Sequence, residues 1–234
     1  MLFAGGKEVK LNTFIKHFTG NLNARTALAV LLGNVITGTG VAILRFSMMG
    51  NDPYTASTLA ISGGLGIGLG NYQLMLNLVL LIIQLLFGRK YLGFGTIINM
   101  CFLGYIVQFV SFALRTLFGS MAGQMLLFKL LIMLVSLLII SFGLAMYQTA
   151  DLGVAPYDFL ALGMTEHLPT PYFVNRVITD GACVLLIVIA VFGGLIDWSG
   201  SNLGMGTIIC AFGLGPFINL FMPWNRKWIL KENK

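Results

Sequence analysis

Two sequence motifs that each occur twice, in the same order, constrain the fold of this chain more than any other feature. The first motif is a pair of spaced glycines followed by Pro-Tyr: Gly40, Gly50, Pro53 and Tyr54 recur 103 residues later as Gly143, Gly153, Pro156 and Tyr157. The second is Leu-Gly-x-Gly-Thr-Ile-Ile, in which Gly93, Gly95 and Thr96 recur 111 residues later as Gly204, Gly206 and Thr207. Two motifs repeated in a fixed order indicate an internal duplication. We therefore predict a fold built from two halves.

The composition places these halves in a membrane. Of the 234 residues, 57% are hydrophobic and 9% are charged, and the mean hydropathy is +0.89, whereas about a quarter of the residues of a soluble domain are charged. Lysines and arginines concentrate near both ends, so the net charge of +6 indicates membrane-flanking residues and not a nucleic-acid-binding groove. By the positive-inside rule we expect a multi-pass protein of the plasma membrane, with both termini in the cytoplasm.

The hydrophobic pattern divides the chain into five parts. We expect residues 1–25 to form a cytoplasmic amphipathic arm, 26–118 the first membrane repeat, 119–125 a connecting loop, 126–223 the second repeat and 224–234 a basic cytoplasmic tail. Each repeat holds one long apolar segment, a short helix that starts at Pro53 or Pro156, and two further long segments. The first short helix has about 14 residues, or roughly 21 Å, which is less than the ~30 Å of a bilayer core.

Two topologies follow from this pattern. Eleven basic residues lie inside whether all eight segments cross the membrane or the two short helices only re-enter it, so charge does not decide between them. Length favours six spans and two half-helices, because irregular backbone at membrane depth is tolerated only where it is buried or lines a cavity. Three spans per half would make the repeats inverted, an arrangement in which transporters bind substrate near the midplane.

Asp180 is the residue that we expect to matter most for function. It lies nine residues into a span that begins near Pro171, close to the middle of the bilayer, where a carboxylate faces protein or a water-filled cavity. Arg176 precedes it by four residues on the same helical face, within pairing distance. Two interpretations stay open: a buried Arg176–Asp180 pair that only locks helix packing, or a proton or ligand site.

Asp158 is the second candidate. It falls in the first turn of the short helix that begins at Pro156, where free N–H groups and the helix dipole stabilise a carboxylate. One interpretation is therefore a helix cap. The other is an ion or substrate site at the start of a half-helix, next to Tyr157. The equivalent residue of the first half is Thr55, which cannot supply charge.

Most other polar residues and glycines suggest packing roles. Asn77 and Asn175 lie in corresponding spans and are candidates to face each other at the site. The glycines of the Gly-x-Gly-Thr motif are expected to allow close helix contact or an unwound helix start. The three cysteines are isolated, which argues against a disulfide framework or a metal site. Enzyme signatures and a cofactor-binding motif are also missing from the sequence, so we expect neither catalysis nor a cofactor.

At residues 152–158, LGVAPYD, and again at the Gly-Met-Gly-Thr run 204–207, the chain resembles the YczE/YyaS/YitT family of bacterial integral membrane proteins. The first-half segment LGFGTIIN, which ends at Asn99, is similar to the glycine-threonine-asparagine segment of YczE-type members. The resemblance extends over nearly the whole chain beyond residue 25. It implies a polytopic bacterial membrane protein. Some members of the family resemble exporters or act around the production of secreted peptides and antibiotics.

These observations lead us to expect a secondary transporter or exporter of a small, amphipathic or aromatic molecule, coupled to protons through Asp180. The alternative is a non-transporting scaffold or regulator, or the substrate-binding subunit of a larger complex, acting as a homo-oligomer or with a membrane-protein partner. A wet polar cavity around Asp180 would favour transport. A dry Arg176–Asp180 pair sealed by packing, with an exposed apolar groove elsewhere, would favour the partner role.

Overall fold

The computed structural model describes residues 22–230, which form eight α-helices and two short 3₁₀ helices. The α-helices are α1 Ala24–Phe46, α2 Pro53–Gly64, α3 Leu69–Phe87, α4 Phe94–Phe118, α5 Leu126–Thr149, α6 Pro156–His167, α7 Tyr172–Phe192 and α8 Met205–Ile229, and the 3₁₀ helices are Arg89–Tyr91 and Trp198–Ser201. Between residues 22 and 230 no strand is formed, so the predicted all-α class is confirmed. Most of the predicted amphipathic arm, up to residue 21, lies outside the described residues.

Six of the helices are long and apolar enough to cross a membrane: α1, α3, α4, α5, α7 and α8. The other two, α2 and α6, have 12 residues each. At 1.5 Å per residue each is about 18 Å long, too short for a hydrocarbon core of ~30 Å. The predicted combination of six long helices and two short ones is therefore confirmed, while the internal repeat and its inverted orientation stay predictions.

Local sequence explains where the short helices begin. Pro53 and Pro156 stand in the first turn of α2 and α6, where the missing N–H would have had no partner within the helix. The side chain of Asp52 caps α2, because its Oδ2 accepts a hydrogen bond from the Thr55 N–H at 3.1 Å. At the start of α6 the N-cap residue is Ala155, which makes no side-chain cap.

The two repeated motifs contact each other across the halves. The Gly95 N–H donates to the Leu152 carbonyl at 2.6 Å, and the Gly206 N–H donates to the Met49 carbonyl at 2.7 Å. Each contact joins a Gly-x-Gly-Thr helix start to the glycine turn that precedes the short helix of the other half. In the second turn Gly153 has a φ of 93°, in the left-handed region that favours glycine. This geometry agrees with the close contact that the sequence indicated for these glycines.

The centre of the fold is the pair α1 and α5. These helices approach closely enough that a Cβ on Gly143 of α5 would lie 2.6 Å from the backbone nitrogen of Thr37 in α1. Helix α4 packs on α1, and α8 packs on α5 and α7; α7 also contacts both short helices, and α3 contacts α6 and α2. This arrangement brings the end of α5, the start of α6 and the first half of α7 together.

The last helix is longer than the sequence pattern indicated. We expected the final span to end at Met222 and a tail to follow, but α8 continues through Pro223 to Ile229. Proline lacks the N–H that an internal helical hydrogen bond needs, yet membrane helices tolerate it because neighbouring groups satisfy the freed carbonyl. Arg226 and Lys227 consequently stand in the last helical turn, where positive charge is favoured by the helix dipole.

Candidate functional site

Three charged side chains meet in the interior of the helical bundle. Asp158 in the first turn of α6 is 4% exposed, Arg176 in α7 is 4% exposed and Asp180 in α7 is fully buried. Arg176 and Asp180 share one face of α7 because they are four residues apart. Asp180 is the ninth of the 21 residues of α7, roughly 12 Å along its axis at 1.5 Å per residue. The cluster therefore lies well inside a membrane-spanning helix.

A single guanidinium is shared by the two carboxylates. Arg176 forms an ion pair through Nη1 with Oδ1 of Asp158, and its Nε donates to Oδ2 of Asp180 at 3.2 Å. The hydroxyl of Tyr147, in α5, donates to Oδ2 of Asp158, and the hydroxyl of Tyr157 donates to Oδ1 of Asp180. Each of the four carboxylate oxygens thus accepts one hydrogen bond. With both carboxylates ionised, the three charged groups carry a net charge of −1.

The contacts of Asp158 extend beyond its own helix, while its function stays a prediction. Its side chain contacts Arg176 and Tyr147 rather than capping the backbone of its own helix. The sequence indicated the Arg176–Asp180 pair through the four-residue spacing of these residues. It contained no signal that Asp158 forms an ion pair with the same arginine. The contact of Tyr147 with Asp158 was not predicted either, although Tyr147 stands only 11 residues before Asp158, on the other side of the turn between α5 and α6.

Two tyrosines from the repeated Pro-Tyr motif pack beside this cluster. The ring of Tyr54 in α2 stacks on the ring of Tyr157 in α6, with centroids 4.5 Å apart and an interplanar angle of 27°. The guanidinium of Arg176 lies 4.9 Å from the centroid of the Tyr157 ring, within the range of a cation–π interaction. The Tyr54 hydroxyl donates to Oδ1 of Asn77 at 2.7 Å, so α2, α3, α6 and α7 all contribute to one polar network.

The two asparagines that we expected to face each other have different partners. Asn77 accepts the hydrogen bond from Tyr54. Asn175 is fully buried, donates to Thr165 Oγ1 at 3.0 Å and accepts from the Thr170 hydroxyl at 2.8 Å. Asn175 therefore fastens the turn between α6 and α7, and within the described chain no hydrogen bond joins it to Asn77. The two side chains do not meet because they stand at different positions in corresponding helices: Asn77 is the ninth residue of α3, whereas Asn175 is the fourth of α7, where the ninth is Asp180.

Next to the network lie buried polar atoms without hydrogen-bond partners. Both amide atoms of Gln148 and the hydroxyl of Tyr172 make no hydrogen bond of normal geometry, although the two side chains are neighbours. Gln148 follows Tyr147 directly, and Tyr172 precedes Arg176 by one helical turn. In front of α2, Oδ1 of Asp52 is also buried without a donor. Buried polar groups normally have partners, so these atoms have hydrogen-bonding capacity that this structure leaves unused.

A second, more exposed ion pair fixes the far end of α6. Glu166 pairs with Lys90 of the first 3₁₀ helix and accepts a hydrogen bond from the Tyr91 hydroxyl at 2.7 Å. Partial burial raises the pKa of Glu166, but the hydrogen bonds from Lys90 and Tyr91 outweigh it, so the net pKa is lowered. Burial and the contact with Glu166 both raise the pKa of Tyr91. This pair ties α6 to the connection between α3 and α4.

The site consists of oxygen and guanidinium groups suited to binding and exchanging protons or other cations. Between residues 22 and 230, no group of three or more His, Cys, Asp or Glu side chains stands together as a set of metal ligands. The site is thus a buried cluster of two carboxylates, one guanidinium and two tyrosine hydroxyls.

Comparisons with known proteins identify relatives without a described activity. The chain is similar to the uncharacterized membrane protein YczE of Bacillus subtilis, with 26% identity over 192 residues that cover 82% of each chain. It is 23% identical to the uncharacterized protein YyaS of the same organism over 203 residues, covering 87% of this chain and 95% of that one. An uncharacterized protein of Haemophilus influenzae is 27% identical over 200 residues, or 85% and 84% of the two chains.

No solved structure matches the chain. A family model does: DUF6198, described as a family of unknown function, matches residues 24–223. That range takes in seven of the eight α-helices and most of the eighth, with the whole of the charged network. The relatives confirm the YczE/YyaS-like character that the motifs at 152–158 and 204–207 indicated. This multi-pass membrane protein therefore belongs to the DUF6198 family.

Proposed function

We propose that this protein is a secondary transporter of a small molecule, coupled to proton movement at the Asp158–Arg176–Asp180 network. The observation that carries the proposal is the sharing of one buried guanidinium by two buried carboxylates. A structural ion pair needs one charge of each sign, because a leftover charge in the interior is costly. The second carboxylate is therefore best explained by a function in which it binds and releases a proton or another cation.

The position of the network supports the same function. The network lies where the first turn of one short helix meets a spanning helix, and the Tyr54–Tyr157 stack brings the second short helix to it. Transporters with inverted repeats place their sites where half-helices meet near the midplane. The reciprocal contacts of Gly95 with Leu152 and of Gly206 with Met49 connect positions that the two sequence offsets relate, as expected of two equivalent halves.

In this proposal the structure represents an occluded state. Asp158, Arg176 and Asp180 are each at most 4% exposed, so the site opens to one side only when α6 moves relative to α7. We infer further that α2 and α6 are re-entrant, that the six long helices span the plasma membrane and that both termini are cytoplasmic. A reporter placed after Lys90 tests this topology, because an extracellular signal there contradicts it.

Transport is tested with purified protein in liposomes that enclose a pH-sensitive dye. A library of amphipathic metabolites and antibiotics is added outside, and the proposal predicts that some compound drives a pH change in the lumen. Asp180→Asn should abolish this change, while Asp180→Glu, which keeps the charge, should retain part of it. Glu166→Gln, outside the network, serves as the control for folding and insertion. Equal pH changes with wild type and Asp180→Asn would refute the proposal.

A second candidate function, a membrane partner or scaffold, is favoured by the closed packing of the network and by the surface of α4. In the middle of this span Tyr105 is 73% exposed and Gln108 is exposed too. Exposed groups in the middle of α3 are aliphatic, such as Leu78 and Ile82. A side-chain amide in contact with hydrocarbon lacks hydrogen bonds, and membrane helices bury such groups against other helices.

The partner function predicts that α4 binds another helix through this polar strip. Cysteine cross-linking at Cys101, which is exposed on the same helix, should then trap a neighbour in native membranes, and Gln108→Leu should reduce the yield. Asn219→Leu, at the corresponding position of α8, is the matched control. If wild type and Gln108→Leu give no adduct, the surface faces lipid and the partner function loses its support.

A further inference from the structure

We propose that the substrate of this site is a small organic cation, a protonated amine or guanidine, which binds Asp158 and Asp180 beside Arg176. This inference rests on the proposed transport function and specifies its substrate class. It starts from the charge of the site, which is −1 when both carboxylates that pair with the arginine are ionised. One monovalent cation neutralises this remainder. An anion would meet a guanidinium that is already engaged and a surplus of negative charge.

The surroundings of the two carboxylates increase the negative charge. Asp52, in front of α2, is close enough to Asp180 to act on it electrostatically, and its Oδ1 is buried without a donor. The other titratable groups that face the carboxylates are Cys183 of α7, Cys210 of α8 and the tyrosines of the network. All of these are neutral in their ordinary protonated form, so Arg176 is the one cation among the described groups around the site.

Two buried polar side chains stand beside the carboxylates. The Gln148 amide and the Tyr172 hydroxyl are more than nine-tenths buried and stand next to Tyr147 and Arg176 in the chain and on the helix. They contact each other outside normal hydrogen-bond geometry, and neither has another partner within the described residues. Leaving such groups unsatisfied destabilises a folded protein. A cationic ligand with further N–H or O–H groups would bind the carboxylates through its charge and use these atoms for hydrogen bonds. Protons and the cation then compete for the same carboxylates, as exchange requires.

The test uses three probes of one shape: benzylammonium, benzyl alcohol and benzoate, which are cationic, neutral and anionic. Each is titrated into the full-length protein in detergent, and binding is followed by calorimetry and by the shift of the thermal unfolding midpoint. We expect benzylammonium alone to bind and to stabilise. Acidification should weaken its binding by up to about tenfold per pH unit, because one proton displaces one cation.

Substitutions locate the binding. Asp180→Asn should lower the affinity for benzylammonium by about 30-fold or more, since it removes one member of a buried charge interaction. Gln148→Leu should weaken it by about tenfold and leave the pH dependence unchanged, because it removes a neutral hydrogen bond. Glu166→Gln, whose ion pair lies at the other end of α6, should bind as wild type does. Asp180→Glu shows whether a loss in Asp180→Asn reflects charge or folding.

The outcomes separate this inference from the transport function. Two results overturn the cation site. One is binding of benzyl alcohol or benzoate that equals or exceeds the binding of benzylammonium. The other is no binding of benzylammonium above the signal of the solvent control at any concentration tested. Benzylammonium binding without compound-driven pH changes in liposomes would leave a cation-binding membrane protein and refute transport. Flux of an anionic or neutral compound, with benzylammonium inactive, would leave transport standing and refute the substrate class.

Discussion

Replacing Gly153 by alanine tests the contact that holds the two halves together. Gly153 has a φ of 93°, and a non-glycine residue in the left-handed region costs about 1–2 kcal/mol. The added Cβ would lie 2.7 Å from Gly93 Cα and 2.8 Å from Thr96 Oγ1, and an extra methyl group in a close-packed site costs typically about 1–3 kcal/mol. We therefore expect Gly153→Ala to lower the free energy of unfolding by about 2–5 kcal/mol.

The assay is equilibrium unfolding of the detergent-solubilised protein, with Gly66→Ala as the matched control. Gly66 also has a positive φ, 67°, but a Cβ there would meet no atom within 4 Å, so only the backbone cost of about 1–2 kcal/mol applies. The difference between the two variants isolates the contact with Gly93 and Thr96. A Gly153→Ala protein that is no less stable than Gly66→Ala would refute the reasoning, because the motifs would then not be in tight contact.

Three further predictions follow from the same geometry. Gly50→Ala should destabilise the protein as Gly153→Ala does, because Gly50 has a φ of 123° and its Cβ would lie 2.7 Å from Thr207 Oγ1; a stability equal to wild type would contradict the equivalence of the two turns. Arg176→Met should lower the free energy of unfolding by about 3–5 kcal/mol because it leaves buried carboxylates without a counter-ion. Adding Asp158→Asn should restore part of this stability, and denaturant unfolding of the single and double variants measures both effects. The pKa of Glu166 is lowered in the folded state, so its ion pair stabilises the protein above the ordinary pKa of glutamate and this small contribution is lost as the pH falls through the lowered value. Thermal unfolding midpoints measured against pH should fall with acid in wild type by this contribution, and Glu166→Gln should lack that part of the fall. Identical profiles of the two proteins would exclude a contribution from the ion pair.

The elements of the fold could be predicted because membrane helices are encoded locally. Apolar runs of sufficient length mark the six spans, and proline followed by polar residues marks the two short helices. The start of α7 at Tyr172 and its end at Phe192 agree with the sequence pattern. The end of α8 was set seven residues too early, at Met222 rather than Ile229, because Pro223 normally signals termination.

The site could be predicted only in part, because its contacts join distant segments. The pairing of Arg176 with Asp180 follows from helical periodicity alone. The approach of Asp158 to the same arginine depends on how α6 packs against α7, and the contribution of Tyr147 depends on the direction in which α5 ends. The repeated Pro-Tyr motif did contain a usable signal. Two equivalent half-helix starts are expected to meet near the centre of an inverted repeat, which would have placed Tyr54 next to Tyr157.

The same limit explains the error over the two asparagines. Asn77 and Asn175 lie in corresponding spans, each of which follows a short helix, but Asn77 is the ninth residue of its helix and Asn175 only the fourth. Their neighbours differ as well: the Tyr54 hydroxyl binds Asn77, whereas Thr165 and Thr170 bind Asn175. Side-chain partners at these positions depend on the loops that flank each span, and the loop before α7 has no counterpart of the same sequence before α3.

The most direct test of the central claim, that the buried network exchanges a proton, is infrared difference spectroscopy of the purified protein during acid titration. A carboxylate that becomes protonated in the interior acquires a carbonyl stretching band distinct from that of an ionised group. The other carboxylates of the chain also gain such a band on acidification, so the informative quantity is the difference between variants. We predict a band component, reversible on return to neutral pH, that is present in wild type and Glu166→Gln and lost in the double variant Asp158→Asn, Asp180→Asn. Equal spectra of wild type and the double variant, with no component lost, at every pH at which both proteins stay folded, would contradict proton exchange and leave the network as a structural ion cluster.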